Sequence, residues 1–164
     1  MNSVTCNESR HLLFLYGTLK RGESTHSVLT NIETGAAEFV ATGTMLRRYP
    51  LVTLTEFKVP FLLDKVNHGQ FVRGEIYATD DRKLSALDAF ERHPTFYRRR
   101  LEPITIGDDG KAVVHCWTYL LATFNAKLLQ LPTMDSYTGK QNDRVDELVP
   151  SNANVIWQAI CDAI

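Results

Sequence analysis

The sequence predicts a single α+β domain with a mainly antiparallel or mixed sheet. Candidate strands outnumber candidate helices, and the two kinds of segment do not alternate regularly as they would in a parallel α/β protein. The chain has 164 residues, of which 44% are apolar and 23% charged, so it can bury one substantial core. We therefore expect one domain over residues 1–164, without repeats or linkers.

The first half of the chain contains several segments of strand character. HLLFLYG (11–17) is an apolar run that ends at a glycine, which is typical of a buried strand entering a turn. The stretch 36–54 is rich in β-branched residues and interrupted by a glycine and a proline, so it predicts strands broken by a bend. VPFLLD (59–64) is a further strand candidate, and 69–79 alternates with a period of two.

DDRKLSALDAFERH (80–93) is the strongest helix signal in the chain. Either of its first two aspartates can cap the helix, and Leu84, Leu87 and Phe90 recur at helical spacing. A short helix is also expected to begin near Thr25 and run to about residue 29.

The segments 98–107 and 111–122 flank the turn residues DDG at 108–110, which predicts a β-hairpin. The end of the chain, NANVIWQAICDAI (152–164), has the spacing of an amphipathic helix.

Charge and cysteine content argue against several functional classes. A net charge of −1 gives no basic surface for nucleic acid or an anionic membrane, and no apolar run approaches the ~20 residues of a membrane span. The N-terminal residues lack the apolar core of a signal peptide. Cys6, Cys116 and Cys161 are scattered, which indicates reduced thiols and neither a disulfide framework nor a zinc site. We expect a cytoplasmic protein.

The stretch YGTLKRGES (16–24) has almost the spacing of a phosphate-binding loop, with Gly17 and Gly22 separated by four residues. Such a loop needs lysine after its second glycine, where it neutralises the phosphates, but this chain has Glu23. A carboxylate there would repel a nucleoside triphosphate. The loop therefore predicts a different ligand.

Glu91 lies inside the apolar arc of the predicted helix, seven residues after Leu84 and four after Leu87. A buried glutamate has a raised pKa, which turns it into a base useful near neutral pH. A structural interpretation stands beside the catalytic one, because Arg98, Arg99 or Arg100 could pair with this carboxylate.

Asp88 lies at the edge of the same arc, three residues before Glu91. A carboxylate at such an edge is usually solvated or bound in a salt bridge. Tyr97 follows the turn after the helix and could offer a phenol to a ligand, although a tyrosine at such a place is more often part of the core or its rim.

The chain resembles the gamma-glutamylcyclotransferase-like (AIG2-like) superfamily in a series of blocks that occur in order: YGTLKRG, YPLV, and VRGEIYATDDRKLSALDAFE followed by a Tyr-Arg pair. Within it, the chain most resembles the gamma-glutamylamine cyclotransferase group, through KRGESTH, VPFLL, FERHPTFYRR and ATFNAKLLQLPTMDSY. The resemblance runs from about residue 12 to about residue 140. It leaves an N-terminal tail (1–11) and a C-terminal extension (about 141–164).

This resemblance implies a gamma-glutamylcyclotransferase-like fold, a small mixed β-barrel or sheet flanked by helices, with a cavity at one end. It also implies a reaction in which the α-amino group of a γ-glutamyl unit attacks its own γ-carbonyl, giving 5-oxoproline and a free amine. For the narrower group the released amine is the ε-amine of lysine, as in the isopeptide crosslinks left when transglutaminase-joined proteins are digested. It implies no metal and no cofactor. We expect a monomer whose partner is a small γ-glutamyl substrate.

Carried over residue by residue, the resemblance makes Glu91 the catalytic acid/base. Its substrate-binding residues would be Tyr97 and the turn residues Tyr16, Gly17, Thr18 and Leu19. The backbone N–H groups of that turn would bind the α-carboxylate or the carbonyl oxygen of the substrate, because a tight turn can present amides to an anion without a side-chain charge.

Three alternatives stay open at the level of sequence. The chemistry could be the same with γ-glutamyl-amino acids or other γ-glutamyl amides as substrates. Glu91 could instead activate water, which would yield glutamate and not 5-oxoproline. The chain could also be a silent binding module of the same fold, although a carboxylate retained at position 91 argues against that.

Overall fold

A computed structural model describes residues 10–54, 59–107, 109–139, 162 and 164. Within these residues the chain forms seven β-strands, two α-helices and two short 3-10 turns. In chain order the elements are β1 (His11–Leu15), α1 (His26–Thr30), a 3-10 turn (Ile32–Thr34), β2 (Ala37–Met45), β3 (Leu51–Leu54), β4 (Val59–Leu62), β5 (Arg73–Thr79), α2 (Asp81–Phe90), β6 (Tyr97–Ile106), β7 (Ala112–Leu121) and a 3-10 turn (Ala126–Gln130).

Five of the strands close into a barrel in the order β1-β5-β2-β6-β7. The pairs β1–β5, β5–β2, β2–β6 and β6–β7 are antiparallel, whereas β7 meets β1 in parallel at Trp117 and Leu13. Strands β3 and β4 form a separate antiparallel hairpin. The architecture confirms the predicted α+β class with a small mixed barrel.

Glycines allow the barrel wall to close tightly between β2 and β5. Gly43 and Gly74 lie opposite each other in this pair. A methyl group on Gly74 would collide with the carbonyl oxygen of Leu15 and the ring of Phe14, so only glycine fits there.

The predicted helix forms as α2, and Asp80 is its N-cap: the side chain of Asp80 accepts hydrogen bonds from the N–H of Lys83 and from that of Ala36. Leu84 and Leu87 are buried against the barrel, as their spacing predicts. The helix ends at Phe90, so the next residue is its C-cap.

The boundaries of other elements differ slightly from the sequence predictions. The hairpin of β6 and β7 is confirmed, and α1 begins one residue later than expected. The strand expected over 69–79 begins only at Arg73, because Gly69 has a positive φ and its surroundings form a turn beside Tyr49 and Pro50. His11, which the resemblance left in the N-terminal tail, is already the first residue of β1.

The helix predicted over 152–164 lies outside the described residues except at Asp162 and Ile164. Ile164 packs against the core cluster that contains Tyr97 and Leu128, and its carbonyl oxygen accepts a hydrogen bond from the N–H of Asn125. In the described part of the chain, no helix has the length and apolar character needed to cross a membrane.

Candidate active site

Glu91 stands where α2 ends and the chain turns toward β6. Its backbone N–H donates to the carbonyl oxygen of Leu87 at 2.8 Å, which completes the last turn of the helix. Burial raises the pKa of the Glu91 carboxyl from 4.5 to about 8. The residue as a whole is half-buried. No fully buried side-chain oxygen among the described residues lacks a hydrogen-bond partner, so the unpaired carboxyl oxygens of Glu91 keep some accessible surface.

No described residue pairs with the Glu91 carboxylate through a hydrogen bond or an ion pair. The arginines that could have paired with it bind elsewhere. Arg98 donates to the carbonyl oxygen of Pro94. Arg99 binds Asp88, and Arg100 binds Asp64 and Glu102. The structural interpretation of Glu91 as an ion-pair partner therefore finds no support in the described residues.

The charge of Glu91 acts on three tyrosines: Tyr16 after β1, Tyr97 at the start of β6 and Tyr119 on β7. All three are buried. Burial raises the pKa of each phenol above its usual value, and the negative charge of Glu91 acts in the same direction on each. The phenols therefore stay neutral at physiological pH, and the site contains them as uncharged groups.

The hydroxyls of these tyrosines are held by backbone or side-chain acceptors. Tyr16 donates to the carbonyl oxygen of Tyr119 at 2.6 Å, and Tyr97 donates to that of Pro60 at 3.3 Å. Tyr119 donates to a carboxylate oxygen of Asp88 at 2.7 Å. The bond of Tyr97 is the longest of the three, so this hydroxyl is the easiest to redirect toward a ligand.

The YGTL turn borders the same site through β4. A methyl group added to Gly17 would lie 2.9 Å from Cγ of Pro60, whose carbonyl oxygen accepts from Tyr97. The turn is closed by a bond from the N–H of Lys20 to the carbonyl oxygen of Gly17, at 3.1 Å. Thr25 donates its N–H to the carbonyl oxygen of Thr18 at 3.0 Å, and the two threonine hydroxyls also bond.

The backbone N–H groups of Gly17, Thr18 and Leu19 donate to no acceptor among the described residues. Successive unpaired amides in a tight turn form a concavity that suits an anion. The side chain of Leu19 packs in the core cluster that contains Tyr97, so only its backbone could serve a ligand.

The charged residues that follow the turn are used for structure. Lys20 is buried, and its ammonium group donates to the carbonyl oxygen of Tyr137. Glu23 accepts a hydrogen bond from the N–H of Gly139 at 2.8 Å. The residue that replaces the lysine of a phosphate-binding loop thus holds the segment around residue 139 against the turn.

The structure brings Tyr16, Tyr97 and Glu91 together, and it places the turn at Gly17 next to them through Pro60. Tyr119 was missed by sequence reasoning. The register of the β6–β7 hairpin, which pairs Tyr119 with Arg99, is the signal that could have found it, but it requires the turn at 108–110 to be placed correctly. Within the described ranges, no group of three or more His, Cys, Asp or Glu is arranged to hold a metal ion.

The described site thus combines a closed five-stranded barrel, a desolvated glutamate, neutral phenols and a turn with unpaired backbone amides. The family model described as gamma-glutamyl cyclotransferase, AIG2-like, matches residues 13–139, and the chain belongs to this family. The match confirms the family that the sequence blocks predicted.

Curated relatives and solved structures agree with this assignment. The gamma-glutamylaminecyclotransferase of Homo sapiens is 41% identical over an alignment of 135 residues that covers 77% of this chain and 88% of that protein. A putative gamma-glutamylcyclotransferase of Drosophila melanogaster is 38% identical over 125 residues, 76% of this chain and 78% of the relative. The crystal structure of an AIG2-like protein from Mus musculus superimposes with a TM-score of 0.79 at 33% sequence identity. The alignment covers 87% of this chain and 98% of the mouse chain. These names support the prediction of an enzyme of this kind.

Proposed function

We propose that this protein is a gamma-glutamylamine cyclotransferase that converts γ-glutamyl-ε-lysine to 5-oxoproline and free lysine, with Glu91 as its general acid/base. The observation that carries the proposal is the Glu91 carboxyl, which is desolvated, unpaired among the described residues and still accessible. A purely structural carboxylate at this depth would be expected to have a cationic or hydrogen-bonding partner. The human relative reported above is named as a gamma-glutamylaminecyclotransferase, which supports the same type of activity here.

The proposed reaction needs only one proton-transfer group. Glu91 takes a proton from the α-ammonium of the substrate, and the resulting amine attacks the γ-carbonyl carbon, forming the ring C–N bond. The bond from that carbon to the leaving nitrogen then breaks, while Glu91 returns its proton to the departing amine. The ring nitrogen loses its second proton to solvent, which leaves the single N–H of 5-oxoproline, and the released amine takes up a proton from solvent to become an ammonium. The carboxylate is regenerated, and no cofactor enters the balance.

The pKa of Glu91 suits this cycle. A carboxyl with a pKa of about 8 is a stronger base than an ordinary glutamate, so it can accept a proton from an ammonium group. Once protonated, it remains a competent acid for the leaving amine near neutral pH. Because nucleophile and carbonyl are already tethered, the remaining task is to fold the substrate into a reactive conformation.

The amides of Gly17, Thr18 and Leu19 are proposed to bind the α-carboxylate or the developing oxyanion of the substrate. Preorganised N–H donors in a water-poor site stabilise such a charge better than water does. Tyr97 is proposed to bind the substrate through its weakly engaged hydroxyl. Tyr16, whose hydroxyl is bound tightly to the barrel, is proposed to line the site.

The proposed enzyme acts as a cytoplasmic monomer on a small-molecule substrate. Cys116 is a buried free thiol, in keeping with a reducing compartment. Size-exclusion chromatography with light scattering tests the monomer and is expected to give the mass of one chain.

Product analysis with γ-glutamyl-ε-lysine tests the reaction, the substrate and the residue together. Wild type should release lysine and 5-oxoproline in equal amounts, and Glu91→Gln, which keeps the size of the side chain, should release almost none. Lysine with glutamate would mean hydrolysis by water. If wild type converts only other γ-glutamyl amides, the cyclisation reaction is supported and γ-glutamyl-ε-lysine is refuted as the substrate. If wild type converts none of a panel of γ-glutamyl compounds, the protein is better explained as a binding module.

A further inference from the structure

Asp88 ties the end of α2 to the barrel wall. It lies three residues before Glu91 and receives two hydrogen bonds from Arg99, Nε to Oδ1 at 2.7 Å and Nη2 to Oδ2 at 3.1 Å. The hydroxyl of Tyr119 donates to the same Oδ1 at 2.7 Å. Arg99 on β6 and Tyr119 on β7 are direct cross-strand partners, so both side chains reach Asp88 from one place on the barrel.

Tyr119 also connects this cluster to the other half of the site. Its carbonyl oxygen accepts the hydroxyl of Tyr16 at 2.6 Å, and Tyr16 immediately precedes the turn at Gly17. A single residue of β7 therefore contacts both the helix that carries Glu91 and the segment that leads into the amide-rich turn.

The Asp88–Arg99 pair has little freedom to move. The Arg99 guanidinium lies 4.3 Å from the ring centroid of Trp117, and the backbone N–H of Arg99 donates to Nδ1 of His93 at 3.3 Å. A bidentate arginine held against an aromatic ring keeps a fixed orientation. Asp88 is thus held in one position relative to β6 and β7.

Glu91 needs such an anchor because nothing in the described residues binds its carboxylate directly. It is the C-cap of α2, and helix ends fray unless tertiary contacts hold them. A carboxylate without a partner would rotate toward water if the helix end were free, since solvation favours its charged form.

We propose that Asp88 is a positioning residue of the active site, which holds the end of α2 through Arg99 and Tyr119 and so keeps the Glu91 carboxyl among Tyr16, Tyr97 and Tyr119. The catalytic consequence rests on the proposed function, whereas the placement of the carboxyl does not.

The charged and titratable groups near the carboxyls of Asp88 and Glu91 determine how the pKa of Glu91 should respond to a substitution. Asp88 faces Arg99, His93 and Tyr119, and Glu91 faces Tyr16, Tyr97 and Tyr119. Desolvation by burial is the cause of the raised pKa of Glu91, and no described cation offsets it, so this pKa depends on the enclosed position of the carboxyl. Release of the helix end should lower the pKa of Glu91.

The experiment is a titration of the Glu91 carboxyl by ¹³C NMR in the full chain, with its signal assigned by comparison with Glu91→Gln. Asp88→Asn removes the charge that binds Arg99 and should lower the pKa of Glu91 by about one unit or more. The matched control is Asp64→Asn, which breaks the similar bidentate pair of Asp64 with Arg100, at 2.9 and 3.2 Å, and should leave Glu91 unchanged.

Steady-state kinetics supply the second readout. In Asp88→Asn, kcat should fall about 10- to 100-fold while KM stays within about two-fold, because a misplaced acid/base affects the transition state more than binding. Tyr119→Phe removes one hydroxyl and keeps the Asp88–Arg99 pair. Tyr119→Phe should lower the pKa of Glu91 and kcat as Asp88→Asn does, but by smaller amounts. If Asp88→Asn fails to fold, the result for Tyr119→Phe tests the proposal in its place.

An unchanged Glu91 titration in these variants overturns the proposal, and so does a loss of kcat without a shift in that titration. The failure of the proposed function looks different. In that case wild type produces no 5-oxoproline from any γ-glutamyl amine, yet the Glu91 titration still responds to Asp88→Asn and not to Asp64→Asn.

Discussion

Asp88 and Glu91 lie three residues apart at the end of α2, and the pKa values of their carboxyl groups are displaced in opposite directions. Burial acts to raise the pKa of Asp88, but the hydrogen bonds from Arg99 and Tyr119 outweigh it and lower the pKa from 3.8. Burial acts on Glu91 without such opposition and raises its pKa to about 8. One short motif thus provides a permanently charged anchor and a carboxyl able to exchange protons near neutral pH.

The first prediction concerns the pH dependence of the reaction. Only the ionised form of Glu91 can accept the proton of the substrate ammonium, so kcat/KM should rise with pH and level off above about 8. Initial rates of 5-oxoproline formation between pH 5.5 and about 9.5 measure this profile. A plateau that already begins near pH 5 would mean that Glu91 titrates as an ordinary glutamate and is not the base.

The second prediction concerns stability. The folded-state pKa of Glu91 is raised above its unfolded value, so its contribution to the free energy of unfolding is fully present below pH 4.5 and is lost as the pH rises to about 8. The loss should amount to at most about 1.4 kcal/mol per pH unit in this window, and less because the residue is partly accessible. Urea unfolding of wild type and Glu91→Gln over this range isolates the effect, since the other carboxyls are common to both. Parallel pH curves for the two proteins would contradict the raised pKa.

The third prediction tests the amide-rich turn. In Gly17→Ala the new methyl group would meet Cγ of Pro60 at 2.9 Å, so the turn or β4 must shift. Since misplacement of a binding group by about 1 Å can cost about 100-fold, kcat/KM should fall by about 10- to 100-fold. Because Gly17 is buried, thermal unfolding should be measured beside the kinetics. A loss of kcat/KM that persists well below the melting temperature of the variant would separate a role in substrate binding from a role in packing.

The control for the turn is Gly22→Asn. Gly22 has a φ of 80°, and a Cβ atom at this position would have no neighbouring atom within 4 Å. Asparagine also tolerates positive φ better than most residues. This variant should keep its activity within about two-fold of wild type. Equal losses in the two variants would show that the loop responds to any substitution and that Gly17 has no special role.

The fourth prediction concerns Lys83, a buried lysine on α2 with 0% exposure. Its ammonium group donates to the carbonyl oxygens of Asn31 at 2.7 Å and Val28 at 3.3 Å, and to the hydroxyl of Thr34 at 2.7 Å. Lys83→Met keeps the apolar stem but removes the buried ammonium donor from all three acceptors, so it should lower the free energy of unfolding by about 2–4 kcal/mol.

The neighbouring Arg82 is the matched control for Lys83. It is exposed and donates to the carbonyl oxygen of Glu33 at 2.6 Å. Arg82→Met should therefore cost less than about 1 kcal/mol, since water can replace an exposed donor. Chemical denaturation of both variants measures the difference, and similar losses would refute the role assigned to the buried ammonium group.

The sequence by itself determined the α+β class, most of the elements and the candidate residues of the site. Apolar spacing predicted α2, the two aspartates at 80 and 81 predicted a cap at one of them, and the turn residues at 108–110 predicted the hairpin, because each of these signals is local. Glu91 also stood out locally, as a carboxylate on an apolar arc. The match of the chain with its family came from blocks of residues that can be read without coordinates.

Only the tertiary structure decided which groups face Glu91. The closure of the barrel, which joins β1 to β7, brings Tyr16 and Tyr119 together although they are 103 positions apart. The turn from α2 into β6 places Arg99 against Asp88, and Glu91 has no hydrogen-bond or ion-pair partner for its carboxylate among the described residues. The run of arginines at 98–100 could not reveal which of the two carboxylates is paired. Local spacing reports which face of an element is apolar, but the pKa of a carboxyl depends on the groups that distant segments place around it.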